Sequence, residues 1–228
     1  MVLTDSAQFP EKYIYDRPAF NAQSEKINNY PRIKLVAEGF VHNPGETPVA
    51  VSEPVTTTEI KNFLRIDVTD DDTWLASLIK ASRKKCEQYT NRTFYLKQFK
   101  LWMDRVPTES CLEIPYPPFN YLTEINTYSS AEVETVFAST NYSIDYDSEP
   151  GRVFLKVDKT WPTDLRNYNA FEMEFFAGYD APATSCPEDV KEAIKKLAAL
   201  LFENREEGGE DLPASIKALL DPYKVRTF

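Results

Sequence analysis

Apolar and polar positions first fall into a helical pattern at Val55–Arg92, VTTTEIKNFLRIDVTDDDTWLASLIKASRKKCEQYTNR. Thr56 and Glu59 have the spacing of a capping box, with Val55 and Ile60 placed as a hydrophobic staple. Ile60, Phe63 and Leu64 then give a first, short apolar face. A second helix is expected from Thr69, with Asp70, Asp71 and Asp72 in its first turn, where carboxylates suit the helix dipole. Its apolar face runs through Trp74, Leu75, Leu78, Ile79, Ser82, Cys86 and Tyr89, a helical period with Ser82 as one small polar interruption. Lys80, Arg83, Lys84 and Lys85 invite a nucleic-acid reading, but a solvated face or a contact with an acidic protein partner is the better one, and Asn91 is read as the stop.

After Arg92 the period becomes that of strands. Thr93–Val106 alternates through Phe94, Leu96, Phe99, Leu101 and Met103, with one phase shift that suggests a bulge. Cys111–Ile114, Tyr121–Tyr128, Val133–Phe137, Tyr142–Tyr146 and Arg152–Val157 follow at the spacing of an antiparallel meander. Asp147–Gly151 is a turn with proline and glycine in favoured order. Ala170–Phe176 alternates most cleanly and ends at Gly178. Residues 93–179 are thus a β segment of about seven strands. Helix returns at Ser185, which forms a second capping-box pattern with Glu188. Val190, Ala193, Ile194, Leu197, Ala198, Leu200, Leu201 and Phe202 make a wide apolar stripe, that of a helix packed on two sides. Gly208 and Gly209 form a hinge, followed by a short helix at Pro213–Leu220 and a final segment.

Residues 1–54 differ. Phe9, Tyr13, Tyr15, Phe20, Tyr30 and Phe40 are scattered among polar residues and six prolines. Arg32–Val41 and Thr47–Val51 are candidate strands around an Asn-Pro-Gly turn. One reading is a disordered leader. The other is an extended arm that orders against a neighbour, since its aromatics are many for a solvated tail. The fold class expected is α+β. Two N-terminal helices (56–91) and a long C-terminal helix (186–206) form a bundle with an inserted antiparallel β segment (93–179). Around this core (55–207) lie an N-terminal arm (1–54) and a C-terminal tail (208–228).

Composition narrows the function more than it names one. The 228 residues carry a net charge of −10, and residues 93–186 hold 7 basic against 14 acidic side chains. Such a surface gains little from counterion release, which disfavours tight DNA binding. No apolar run reaches the ~18 residues of a membrane span, and no basic start precedes an apolar block, so a signal peptide is not expected. Cys86, Cys111 and Cys186 are three, far apart and without a CxxC, which argues against a disulfide framework or zinc site and for a reducing compartment.

Catalytic constellations are few. His42 is the sole histidine and precedes a turn. No phosphate-cradling glycine motif occurs. Asp70–Asp72 lack the alternating spacing of a calcium loop, so helix-start carboxylates are the better reading. Glu172 and Glu174 share one strand face, the sole support for a carboxylate hydrolase such as a glycosidase; a solvated outer face is the better reading. The reading is therefore of a non-enzyme with no cofactor and no metal. In the tail, Leu212, Ile216, Leu219, Leu220, Tyr223, Val225 and Phe228 are apolar points. They either fold back on their own domain or anchor the segment on another protein.

Val55–Arg92 also carries a resemblance. A capped short helix, the LRID end, an acidic run, a longer helix and the Tyr-Thr-Asn-Arg exit resemble the head–tail connector (head-completion adaptor) family of long-tailed bacteriophages. So do DSEPGRV (147–153), Trp161-Pro162, FFAGY (175–179), Pro187 with its helix ending in Glu203-Asn204-Arg205-Glu206, and the Leu219–Tyr223 close. The resemblance covers Val55–Phe228 and leaves residues 1–54 outside it.

It implies a structural virion protein, made in the host bacterial cytoplasm, in a homo-oligomeric ring of commonly twelve subunits. The ring would lie under the portal protein, extend the DNA channel and meet the next neck or tail-completion protein. The helices would build the ring body, and the tail from Leu212 to Phe228 would reach the portal. The aromatics Phe9, Tyr13, Tyr15, Phe20 and Tyr30 would meet a neighbouring subunit or neck protein. Such a ring carries about −120 formal charges and lets genomic DNA pass without specific binding. The runner-up is a tail-completion or decoration protein without portal contact.

Overall fold

The computed structural model describes residues 32–38, 40–41, 49–50, 52–180, 182–204 and 211–225. In chain order these form β1 (Arg32–Glu38), β2 (Phe40–Val41), β3 (Val49–Ala50), α1 (Thr57–Leu64), α2 (Asp72–Thr90), β4 (Lys97–Met103), β5 (Cys111–Glu113), β6 (Phe119–Tyr128) and β7 (Glu134–Val136). Then come β8 (Tyr142–Asp145), β9 (Arg152–Leu155), β10 (Phe171–Ala177), α3 (Pro182–Ser185), α4 (Glu188–Glu203) and α5 (Ala214–Leu220). The fold is mixed α+β with antiparallel sheets. His42, Gly208, Gly209 and the arm aromatics Phe9, Tyr13, Tyr15, Phe20 and Tyr30 lie outside the described residues, as does Phe228.

The first helix starts where its cap predicts. The Thr56 hydroxyl accepts from the Glu59 amide at 3.2 Å, and the Glu59 carboxylate accepts from the Thr56 amide at 2.7 Å. Val55 and Ile60, 1% and 0% exposed, sit in one apolar cluster. Arg65, left-handed at φ 58°, closes α1. α2 begins at Asp72, three residues later than the acidic run suggests. The Asp72 amide donates to the Thr69 carbonyl at 3.1 Å, so a separate turn precedes the helix and holds Asp70 and Asp71. Asn91, at φ 53°, stops α2 as expected. The second capping box does not form. α3 ends at Ser185, and Pro187 caps α4 through its carbonyl, which accepts from Val190 and Lys191 at 3.1 Å.

α1, α2, α4 and α5 share one core, which includes Ile60, Leu75, Ile79, Cys86, Val190, Ile194, Leu197, Ile216 and Leu220. Phe63 is 43% exposed and stands off that face, contrary to expectation. Among the described residues, no helix is long and apolar enough to cross a membrane.

The strands form two main sheets in place of a meander. A five-stranded sheet runs β1-β4-β10-β6-β7, and a three-stranded one β5-β9-β8. β10 is the last strand in sequence and lies in the middle of the larger sheet, between β4 and β6. Six of its seven residues are buried, which is why it is central. Phe99, Leu101, Met103, Ile125, Phe171, Met173 and Phe175 build the sheet core with Trp161, Val153 and Ile114. The phase shift near Leu96 is no bulge in β4. Phe94 and Leu96 precede the strand and enter other clusters, Phe94 the helix core and Leu96 a small one with Phe176, Tyr95 and Tyr121. Gly178, at φ 106°, lets the chain leave β10 against Tyr95; a Cβ there would stand 2.3 Å from the Tyr95 carbonyl oxygen.

Cys86 and Cys186 both lie in the helix core, and burial pushes both thiols up to about 12. The folded protein at pH 8 is expected to leave both unlabelled by a thiol reagent, with all three cysteines reacting after denaturation. Rapid labelling of either in the native state would contradict this packing.

Candidate docking surface

Three stretches far apart in sequence meet at Arg92, at the exit of α2. Its Nε donates to the Tyr223 carbonyl at 3.0 Å. Its Nη1 donates to Glu149 at 3.1 Å, and Nη2 pairs with the same carboxylate. The α2 exit, the 147–151 turn and the 219–223 close are therefore one node. Around it the Tyr89 hydroxyl donates to Asp221 at 2.5 Å, and the Val225 amide donates to the Thr90 carbonyl at 2.9 Å. The Tyr223 hydroxyl donates to Asp189 of α4 at 3.3 Å. Beside the node, the Asp145 carboxylate accepts from Ser148 and Arg152, and these bonds hold it down to about 2.

This node decides what the tail can offer a partner. Leu212, Ile216 and Leu220 are 6%, 2% and 0% exposed inside the chain's own helix core, so these three expected anchors are occupied within the subunit. Leu219 and Tyr223 pack against the same core. Val225 is half-buried and held by backbone. The segment from Leu212 to Val225 thus folds back, the reading the sequence left open beside docking.

A second node joins α2 to β4. Arg83, read from sequence as solvated, is 1% exposed. Its Nε donates to Glu53 at 2.7 Å, its Nη1 to Glu87 at 2.9 Å, and its guanidinium lies 4.5 Å from the Tyr95 ring centre. Lys97 Nζ donates to Glu87 at 2.6 Å, and the Phe94 amide donates to the same carboxylate at 2.8 Å. Two cations and two carboxylates thus pin the chain before α1, the middle of α2 and the start of β4 together. Glu53, Glu87 and Lys97 were missed in sequence, although Arg83 and Glu87 stand at the i,i+4 spacing of an ion pair.

Glu172 and Glu174 are likewise not a solvated face. Glu172 is 8% exposed. It accepts from Lys100 at 2.7 Å and from Trp102 and Tyr128 at 2.9 Å. Lys100 also reaches Glu174 at 3.1 Å. Burial raises the Glu172 carboxyl, but the three hydrogen bonds outweigh it and hold it below its ordinary value. A carboxylate kept ionised in this way is poorly suited to act as a general acid.

Residues 55–150 match the model of the family described as Phage gp6-like head-tail connector protein, which bears out the resemblance read from the opening helices. No curated protein matches the chain significantly. Among solved structures, a chain from the neck of an empty GTA particle, computed with C6 symmetry, superposes with a TM-score of 0.69 at 22% identity; the match covers 86% of this chain and 97% of that one. A chain from the virion of a native gene transfer agent (GTA) particle gives 0.67 at 21% identity, with the same coverage. One from the neck of a native GTA particle, computed with C12 symmetry, gives 0.62 at 23% identity over 75% of this chain and 90% of that one. At these identities the likeness is one of fold.

Proposed function

We propose that this chain is a structural connector of the head–tail neck, with no catalytic role. It would form a ring beneath the portal, extend the DNA channel and join the head to the next neck or tail component. The observation that carries the reading is the family match over 55–150 combined with a fold likeness, over 86% of the chain, to neck subunits. Those necks were computed with C6 and C12 symmetry, which supports a ring of twelve here. The ion quartet at Arg83 and the node at Arg92 serve such a role by tying distant segments of the subunit together.

Residues 226–228 lie outside the described residues and are proposed as the part of the tail that meets the portal, since Leu212, Ile216 and Leu220 are taken up by the subunit's own core. The arm residues Phe9, Tyr13, Tyr15, Phe20 and Tyr30 are proposed to meet a neighbouring subunit or neck protein. The net charge of −10 per chain favours a channel that repels phosphate. The assembled ring is expected to show no measurable affinity for duplex DNA at physiological salt. Binding that falls steeply with added salt would contradict the conduit reading.

A further inference from the structure

Among the described residues, β1 and β7 are the two unpaired edges of the five-stranded sheet, at its opposite ends. Each exposes apolar side chains. Leu35 and Val36 are both 44% exposed on one side, and Val133 and Val136 are 57% and 60% exposed on the other. Edge strands that expose apolar residues are templates for pairing with another chain. The two edges also differ in charge. The first half of β1 carries Arg32 and Lys34, with Glu38 at its far end paired across from Lys97; β7 and its turn carry Glu132 and Glu134. Arg32 is held by Asp104 and Glu132 by Arg166. Lys34 and Glu134 form no ion pair among the described residues.

We infer that the β7 edge of one subunit pairs with the β1 edge of a second copy of this chain, so that the sheet continues from subunit to subunit. Opposite, unlike and complementary surfaces are what a head-to-tail ring requires. Direction fits as well. Each neighbouring pair from β1 to β7 is antiparallel. Four reversals leave β1 and β7 running the same way, and head-to-tail repetition therefore pairs them in parallel. The backbone of β7 has groups to spare. The Phe137 amide donates to Ile125 and the Val133 carbonyl accepts from Ser129. Odd positions thus bond toward β6, and Glu134 and Val136 turn their N–H and C=O outward. On β1 the register against β4 breaks between Leu35 and Ala37, so the pairing segment is Arg32–Leu35.

This inference rests on the ring reading and is tested separately from it. Leu35→Cys and Val136→Cys are combined in the full chain on a Cys111→Ser background and treated with a short bis-maleimide, alone at high concentration and with portal rings. The result expected is a ladder of covalent dimers and higher multimers, absent from either single-cysteine variant. Adding Lys34→Glu is expected to abolish the ladder, and further adding Glu134→Lys to restore it. No ladder, or equal ladders from the single variants, overturns the edge pairing. If multimers are then still seen by light scattering, the ring reading stands with another interface; if none form, both fail.

Discussion

Glu87→Ala is expected to lower the unfolding free energy by about 3–5 kcal/mol, as for other buried ion pairs deprived of one partner. The carboxylate accepts from Arg83, Lys97 and the Phe94 amide, at 2.9, 2.6 and 2.8 Å. Its removal deprives Arg83 and Lys97 of the carboxylate they share and leaves the Phe94 amide without its acceptor. Glu87→Gln keeps an acceptor for the amide but loses the charge, so an intermediate loss is expected. Urea unfolding of the three proteins, with an unchanged slope, would measure it. A loss below about 1 kcal/mol for Glu87→Ala would mean that water reaches the site and that the quartet does not hold α2 to β4.

Leu220→Ala is expected to cost about 2–5 kcal/mol, the usual range for a large-to-small change in a packed core. Leu220 is 0% exposed among α2, α4 and α5. The same packing changes how the tail must be tested. Deleting Leu212–Phe228 removes three core side chains and would confound lost docking with lost folding. A chain ended after Val225 keeps the core and the backbone bond to Thr90. It is expected to fold with wild-type stability and to lose portal binding. If Leu220→Ala were neutral in urea, the tail would not be seated as described.

Much of the fold was legible because periodicity reports local geometry. The capping box at Thr56, the stop at Asn91 and the strands at 121–128, 142–146 and 170–176 all follow from patterns within a few residues. Sheet order was not legible. Nothing local says that Phe171–Ala177 inserts between Lys97–Met103 and Phe119–Tyr128, because those pairings span 44 residues or more. Charged residues misled for a related reason. Arg83 sits in a helix among lysines and reads as solvated until Glu53, 30 residues before it, is brought to it. The tail pattern was correct as an apolar stripe, but a stripe does not say whose core it enters. Of the candidate docking residues, Leu212, Ile216 and Leu220 therefore belong to the subunit's own packing, while the sheet edges, unremarked in sequence, expose apolar side chains among the described residues.

The connector reading is tested most directly by mass. Light scattering is applied to the purified chain alone and after mixing with portal rings. The account predicts a portal-bound ring of about twelve copies, whether or not the free chain is monomeric. A chain that stays apart from the portal, alone or in a ring of its own, would contradict it and favour a tail-completion or decoration component.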